Sequence, residues 1–278
     1  MKLFSKTWQN DWPWLKLAIT SVLKTCTEPI DWRIVCDDGT REDVKKVIDQ
    51  ALQAAPSKHG EGYRKDTFEV VEVSERFPEA MKIQSGYMRQ QWVKMNAHKV
   101  MGSGIFWNWD SDVIAVKPFG SSIFCNPQGK PVHFFTPLNN LLMTEKDPTA
   151  IEAHKGRRHI TEICLDYNHV CFEFMRCMPA PLIGEILAHA STQREWDRAY
   201  EVMKSGDHRL SEFNIIGQYC HLYYPDAFEW KNASNYETWS GGYVLQGEKI
   251  VYQQHAYVAQ GWSWNGIPAE VAKFVEEL

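Results

Sequence analysis

At 278 residues the chain is long enough to bury a full core, as one large α/β domain or two smaller ones. Its 44% hydrophobic and 23% charged residues are ordinary for a globular protein, and a formal net charge of −5 argues against a general nucleic-acid binder. No stretch approaches the ~20 apolar residues of a membrane span. The N-terminus, Met1 to Lys6, lacks the apolar segment of a signal peptide, so the expected location is cytoplasmic.

The seven cysteines form no Cys-X-X-Cys pair and no zinc spacing, and they read as reduced, mostly buried thiols. Twelve tryptophans make the chain aromatic-rich, which suits a sugar or base site as well as plain packing.

Taken in order, Lys2 to Trp8 predicts a strand, and Asn10-Asp11-Trp12-Pro13 opens a helix with Pro in its first turn. A second strand, Trp32 to Cys36, runs into Asp37-Asp38-Gly39-Thr40. Arg41 to Ala55 is an amphipathic helix, residues 57–66 a polar loop, and Thr67 to Val73 a third strand. Strand, helix, strand, helix, strand is the pattern of a parallel sheet with crossover helices, whose ligands sit beyond the carboxyl ends of the strands. Lys6, Thr7 and Trp8 lie on that rim, as do Asp37 and Asp38.

A helix over Tyr87 to Ala97 then feeds the run Gly104 to Phe119, in which β-branched and aromatic residues stop at Asp110-Ser111-Asp112. In an extended segment residues two apart share a side, so Asp110 and Asp112 aim at one point while Ser111 faces away. Paired carboxylates suit Mg²⁺ or Mn²⁺, which take one or two of them together with phosphate oxygens.

Further on, Val132 to Leu138 and Val170 to Met178 read as strands, and Pro181 opens a helix. Leu142 to Ile160 is charged and irregular, a solvated loop or else a lid or arm for an anionic acceptor, with His154, Lys155, Arg157, Arg158 and His159 in it. Ser211 stands at a helix N-cap, with Glu212 in the first turn. Ile250 to His255 is a strand ending on an imidazole, ahead of the Trp/Gly-rich residues 261–266.

Asp110-Ser111-Asp112 after a hydrophobic strand, followed by Val-Ile-Ala-Val-Lys-Pro-Phe, resembles the Asp-X-Asp motif of GT-A glycosyltransferases of the glycogenin-like, bacterial galactosyltransferase-like kind. The resemblance implies a GT-A α/β fold with a mixed, mostly parallel sheet and flanking helices. It would be one continuous domain, with a nucleotide-sugar half at 1–120 and an acceptor half at 121–278. It implies that Asp110, Asp112 and His255 hold Mn²⁺ or Mg²⁺ against the diphosphate of a nucleotide sugar. Arg89 or Lys94, with Gln91, would reach that diphosphate. Lys6, Thr7, Asp37, Asp38 and Trp109 would complete the nucleotide site.

Ser211-Glu212-Phe213 resembles the segment whose acid lies at the sugar-binding centre, so Glu212, with Asp112, is the expected catalytic carboxylate. Asp37-Asp38-Gly39-Thr40 also resembles the second-strand acid of inverting family-2-like enzymes, which leaves retention or inversion open. The expected reaction is metal-dependent transfer of a sugar to a hydroxyl of a glycan, protein, metabolite or modified nucleobase such as a hydroxymethylated pyrimidine in viral DNA. A metal-dependent nucleotidyl- or phosphotransferase is one alternative, although Ser5 to Trp8 lacks the glycine of a phosphate loop. A non-catalytic carbohydrate-binding protein is the other.

Overall fold

The computed structural model describes residues 1–55, 67–174, 179–233, 240–241, 243–246, 249–252, 258–260 and 266–278. The expected loop at 57–66, His255 and residues 261–265 lie outside the described residues. The chain opens as β1 (Lys2–Lys6), α1 (Trp12–Thr25), β2 (Asp31–Cys36), α2 (Arg41–Ala54) and β3 (Phe68–Glu72), the alternation that the sequence predicts. A short turn α3 (Val73–Arg76), then α4 (Gly86–Met95) and α5 (His98–Met101), lead to β4 (Ile105–Asn108).

β1, β2 and β3 pair in parallel on one side, and β4 pairs in parallel with the other edge of β1. Alternation along each strand feeds two cores. Leu3, Trp32 and Ile34 face α1 and α2, while Phe4, Val35 and Val71 face the layer that holds α4. The sheet is buried on both sides, as parallel sheets usually are.

The second half contains β5 (Val113–Ala115), β6 (Val132–Pro137), α6 (Leu138–Thr144), α7 (Pro148–Leu165), β7 (Phe172–Glu173), β8 (Ala180–Ile183), α8 (Gly184–Ala190), α9 (Arg194–Ser205) and α10 (Glu212–Tyr223). Then come β9 (Glu229–Asn232), β10 (Ser240–Gly241), β11 (Tyr243–Gln246), β12 (Lys249–Tyr252), β13 (Val258–Gln260) and α11 (Ala269–Glu277). The main sheet has the order β3-β2-β1-β4-β8, with β8 antiparallel to β4. Helices flank it, so the architecture is the mixed, mostly parallel α/β one. Smaller sheets join β7-β6-β9, β10-β13-β5 and β11-β12. Lys24 of α1 donates to the Val275 carbonyl at 2.9 Å, fastening α11 to α1. Among the described residues no helix is long and apolar enough to cross a membrane.

Three expectations are corrected. Pro181 does not open a helix; it pairs with Trp107 in β8. As the outermost strand, β8 tolerates a residue without an N–H donor. Residues 142–160 are not irregular either: Asp147 caps α7 by accepting from Thr149 N at 2.9 Å, and Pro148 follows in its first turn. Four of the five basic residues at 154–159 are engaged with carboxylates. His154 and Arg157 meet Glu173 at 2.7 and 3.0 Å, Lys155 meets Glu152, and Arg158 meets Glu162. Finally, Val170 to Met178 supplies only the short β7, and residues 175–178 lie outside the described ones.

Candidate active site

The chain leaves β1 towards β2 and later returns on its other side as β4, so the strand order reverses between β1 and β4. Open α/β sheets hold ligands at such a point, beyond the carboxyl ends of the strands. A cavity of about 490 Å³ lies there, within the size range of small-ligand sites. Lys6, Trp8 and Asp11 line it from the end of β1, and Asp37 from the end of β2. Gly86, Tyr87, Gln90, Gln91 and Lys94 come from α4. Asp110, Ser111 and Asp112 follow β4, and Ser211, Glu212 and Phe213 open α10.

At the centre stands Lys94, 4% exposed, with its Nζ 2.7 Å from Asp110 Oδ1 and 3.0 Å from Glu212 Oε1. Burial alone would pull its pKa down, but the two carboxylates outweigh that and hold it raised. The ammonium also lies 5.0 Å from the centre of the Phe213 ring. Glu212 is 2% exposed, and burial pushes its pKa up against the pull of Lys94. Its backbone N–H donates to Gln91 Oε1 at 2.9 Å, which locks the start of α10 to α4.

Asp110-Ser111-Asp112 is a turn between β4 and β5, not an extended segment, and Val113 N closes it on the Asp110 carbonyl at 3.1 Å. The turn brings Ser111 to the cavity as well, where its hydroxyl donates to Asp11 Oδ2 at 3.0 Å. Burial and the charge of Asp110 push Asp112 up to about 7, with Asp11 adding to the crowding. Acidic side chains gathered this closely favour a cation. Among the described residues no group of three His, Cys, Asp or Glu forms a ready cage. Two carboxylates still fit Mg²⁺ or Mn²⁺ that completes its shell with substrate phosphates.

No family model matches the sequence, and no curated protein does. Solved structures do resemble it. Mouse xyloside xylosyltransferase 1 is similar over 96% of this chain and 100% of its own, at 11% identity and a TM-score of 0.48. The galactosyltransferase LgtC, solved with donor and acceptor sugar analogs, is similar over 84% of this chain and 74% of its own, at 11% identity and a TM-score of 0.47. The glycosyltransferase GlyE of Streptococcus pneumoniae is similar over 83% and 44%, at 8% identity and a TM-score of 0.41.

Of the residues singled out from sequence, Lys6, Asp37, Gln91, Lys94, Asp110, Asp112 and Glu212 share the cavity. Four others do not line it. Trp109 is fully buried; its indole N–H donates to the Val113 carbonyl at 2.8 Å and its ring stacks on Phe119. It braces the Asp-Ser-Asp turn from behind and is out of reach of a ligand. Thr7 is fully buried, and its backbone N–H extends the β1–β2 ladder to the Val35 carbonyl at 2.9 Å. Asp38 accepts from Ser74 N at 2.9 Å, and Arg89 Nη2 donates to the Ile83 carbonyl at 3.0 Å.

Trp8, expected on the rim, lines the cavity, and so do Asp11, Tyr87 and Ser111, which the sequence did not single out for the site. Asp11 precedes a helix whose first turn holds Pro13, where an acidic residue looks like ordinary helix-start chemistry. Trp8 and Tyr87 stand at the cavity mouth, 46% and 49% exposed, an exposure that residue type alone does not reveal.

Proposed function

We propose that the protein transfers a glycosyl group from a nucleotide-diphosphate sugar to an acceptor hydroxyl, with a divalent cation at the diphosphate. The reading is carried by one feature: a buried ammonium, Lys94, clamped between Asp110 and Glu212 beside Asp112, at the point where the strand order reverses. A site with fixed charges of both signs, shielded from water, suits a reaction that separates charge.

Asp110 and Asp112 would hold Mg²⁺ or Mn²⁺, with His255 proposed as a third protein ligand. Bound there, the ion supplies electrostatic stabilisation of the negative charge that develops on the departing diphosphate. Lys6 and Asp37 hold the nucleoside end, at the tips of β1 and β2. Lys94 donates towards sugar hydroxyls or the diphosphate while Asp110 and Glu212 fix its position. Gln91 acts through Glu212 by orienting the first turn of α10. As the anomeric carbon–oxygen bond to the diphosphate breaks, a bond to the acceptor oxygen forms. The acceptor proton passes to the Glu212 carboxylate in an inverting reaction, or to the leaving phosphate in a retaining one. A carboxylate whose pKa burial has raised is the better proton acceptor.

The first experiment is thermal unfolding with nucleoside diphosphates and free sugars, with and without Mn²⁺. Stabilisation by a nucleoside diphosphate only when Mn²⁺ is present supports the transferase. Stabilisation by free sugars without metal, and none by nucleotides, would instead make this a carbohydrate-binding protein. Mass spectrometry of donor sugars incubated with pooled acceptors, hydroxymethylated DNA among them, then identifies the product.

A further inference from the structure

A second hollow, an open groove of about 530 Å³, lies between the start of α1 and the second half of α2. Its volume is in the range of small-ligand sites. Trp12 and Lys16 of α1 form one wall, at a spacing that puts both on one helix face. Val47 and Gln50 of α2 form the facing wall, and Gln9 and Asn10 close the end. The body of Trp12 rests half-buried against the core under the sheet, while Gln9, Asn10 and Gln50 are exposed. The Trp12 indole N–H has no acceptor among the described residues, and a ligand hydroxyl at that edge would supply one.

The two hollows differ in charge. Five carboxylates line the active-site cavity, whereas among the described residues none lines the groove, and Lys16 gives it a single cation. A metal ion finds no carboxylate there, and one lysine is thin support for a diphosphate. The groove has instead the chemistry that holds a sugar. Carboxamides carry donors and an acceptor together, as hydroxyl groups require of their partners, and an indole offers an apolar face to the C–H side of a ring. The hollows are also neighbours. The short turn at residues 8–12 divides them, with Trp8 and Asp11 on the cavity side and Gln9, Asn10 and Trp12 on the groove side. Those four steps of chain span at most about 14 Å. A ligand filling both hollows passes over Trp8, whose ring is exposed.

Resting on the glycosyl-transfer reading, we propose that the groove is an outer subsite for a saccharide acceptor, holding a sugar unit beyond the one whose hydroxyl reacts in the cavity. The carboxamides of Gln9, Asn10 and Gln50 exchange hydrogen bonds with its hydroxyls, and Trp12 supports the ring. The acceptor is then an oligosaccharide rather than a lone sugar. Contacts this far from the reacting atoms are the same before and during transfer, so they tighten acceptor binding without changing the rate of the chemical step.

The test is calorimetric titration of the full chain with maltohexaose, cellohexaose, xylohexaose and chitohexaose, alongside Mn²⁺-dependent binding of nucleoside diphosphates. At least one hexasaccharide should bind. The double variant Asn10→Ala/Gln50→Ala changes two exposed side chains, so it should weaken that binding about 10-fold and leave nucleotide binding and melting temperature unchanged. Trp12→Ala should abolish hexasaccharide binding, and the double variant decides the matter if loss of Trp12 disturbs the core. Hexasaccharide binding that the double variant does not weaken would place the sugar elsewhere and overturn the inference. So would a failure of all four to bind, and in both cases nucleoside diphosphate binding with Mn²⁺ leaves glycosyl transfer standing. Hexasaccharide binding with no nucleoside diphosphate binding would overturn the acceptor role together with glycosyl transfer.

Discussion

Lys94 is where charge balance in the site is decided. Replacing it with Met leaves Asp110 and Glu212 without their shared counter-ion in a cavity wall where Glu212 is 2% exposed. Breaking such a buried pair typically costs about 3–5 kcal/mol, so Lys94→Met should lower the urea midpoint clearly as well as abolish turnover. Asp112→Asn should behave in the opposite way. It removes a carboxylate crowded by burial, Asp110 and Asp11, so the metal-free protein should melt at the same temperature or higher. Turnover should nevertheless fall by about 100-fold or more, because the proposed cation ligand is lost; a marked drop in melting temperature would assign Asp112 a structural role. At this scale the sequence was most legible where charge has no packing purpose. Asp110 and Asp112 stood out by residue type at a strand end, while Lys94 and Glu212 were singled out through the resemblance to GT-A enzymes. Trp109 misled because exposure cannot be read from an aromatic at a strand end, and here the ring supports the turn from inside.

α10 carries Glu212, and its seat depends on a close approach. A Cβ added at Gly217 would come within 2.3 Å of Phe174 Cγ, and Asn214 Oδ1 in the same helix accepts from Phe174 N at 2.9 Å. Gly217→Ala must therefore push α10 away from β7. Overpacking of this kind costs about 1–3 kcal/mol. Because Glu212 moves with the helix, turnover should drop as well, and denaturant titration beside a rate assay checks both. A stable, fully active variant would show that α10 can shift without moving Glu212.

Period and punctuation made the early elements readable, since β1 to β3 and their crossover helices alternate cleanly. α7 was obscured by its charge, although Asp147-Pro148 is a helix-start signature, and β8 by Pro181, which only an edge strand accommodates. The Asp-Ser-Asp segment kept its shared target but reached it through a turn, which is why Ser111 joins the cavity.

Across the whole molecule, two cores clamp one sheet, and the site occupies the edge where the sheet changes direction. Stability of that assembly should depend on pH through His133, which is 4% exposed, stacked on Trp230 and edge-on to Phe174 and Phe228. Burial pushes its pKa down to about 4, and His98 is pushed down to about 4 for the same reason. In the unfolded chain a histidine titrates near 6.5. Between those values the unfolded state takes up protons that the folded state refuses, so stability is full above about pH 6.5 and is lost as pH falls towards 4. His133 alone accounts for up to roughly 3 kcal/mol of that loss. Urea titrations at pH 7.5 and 5.0 should show it, and His133→Phe should flatten the dependence; an unchanged slope would place the loss elsewhere.

The arrangement of strand ends around a cavity was foreseeable from strand order alone. The partners of each charge were not, because α4 and α10 meet through Gln91 and Lys94 across more than a hundred residues of chain. The most direct measurement is a crystal structure with Mn²⁺ and uridine or guanosine diphosphate, with the ion located by its anomalous signal. The expected result is an anomalous peak bound by Asp110 and Asp112, touching the diphosphate, with the nucleoside towards Lys6 and Asp37. A peak and nucleotide at another place, with residues 110 and 112 facing solvent alone, would contradict it.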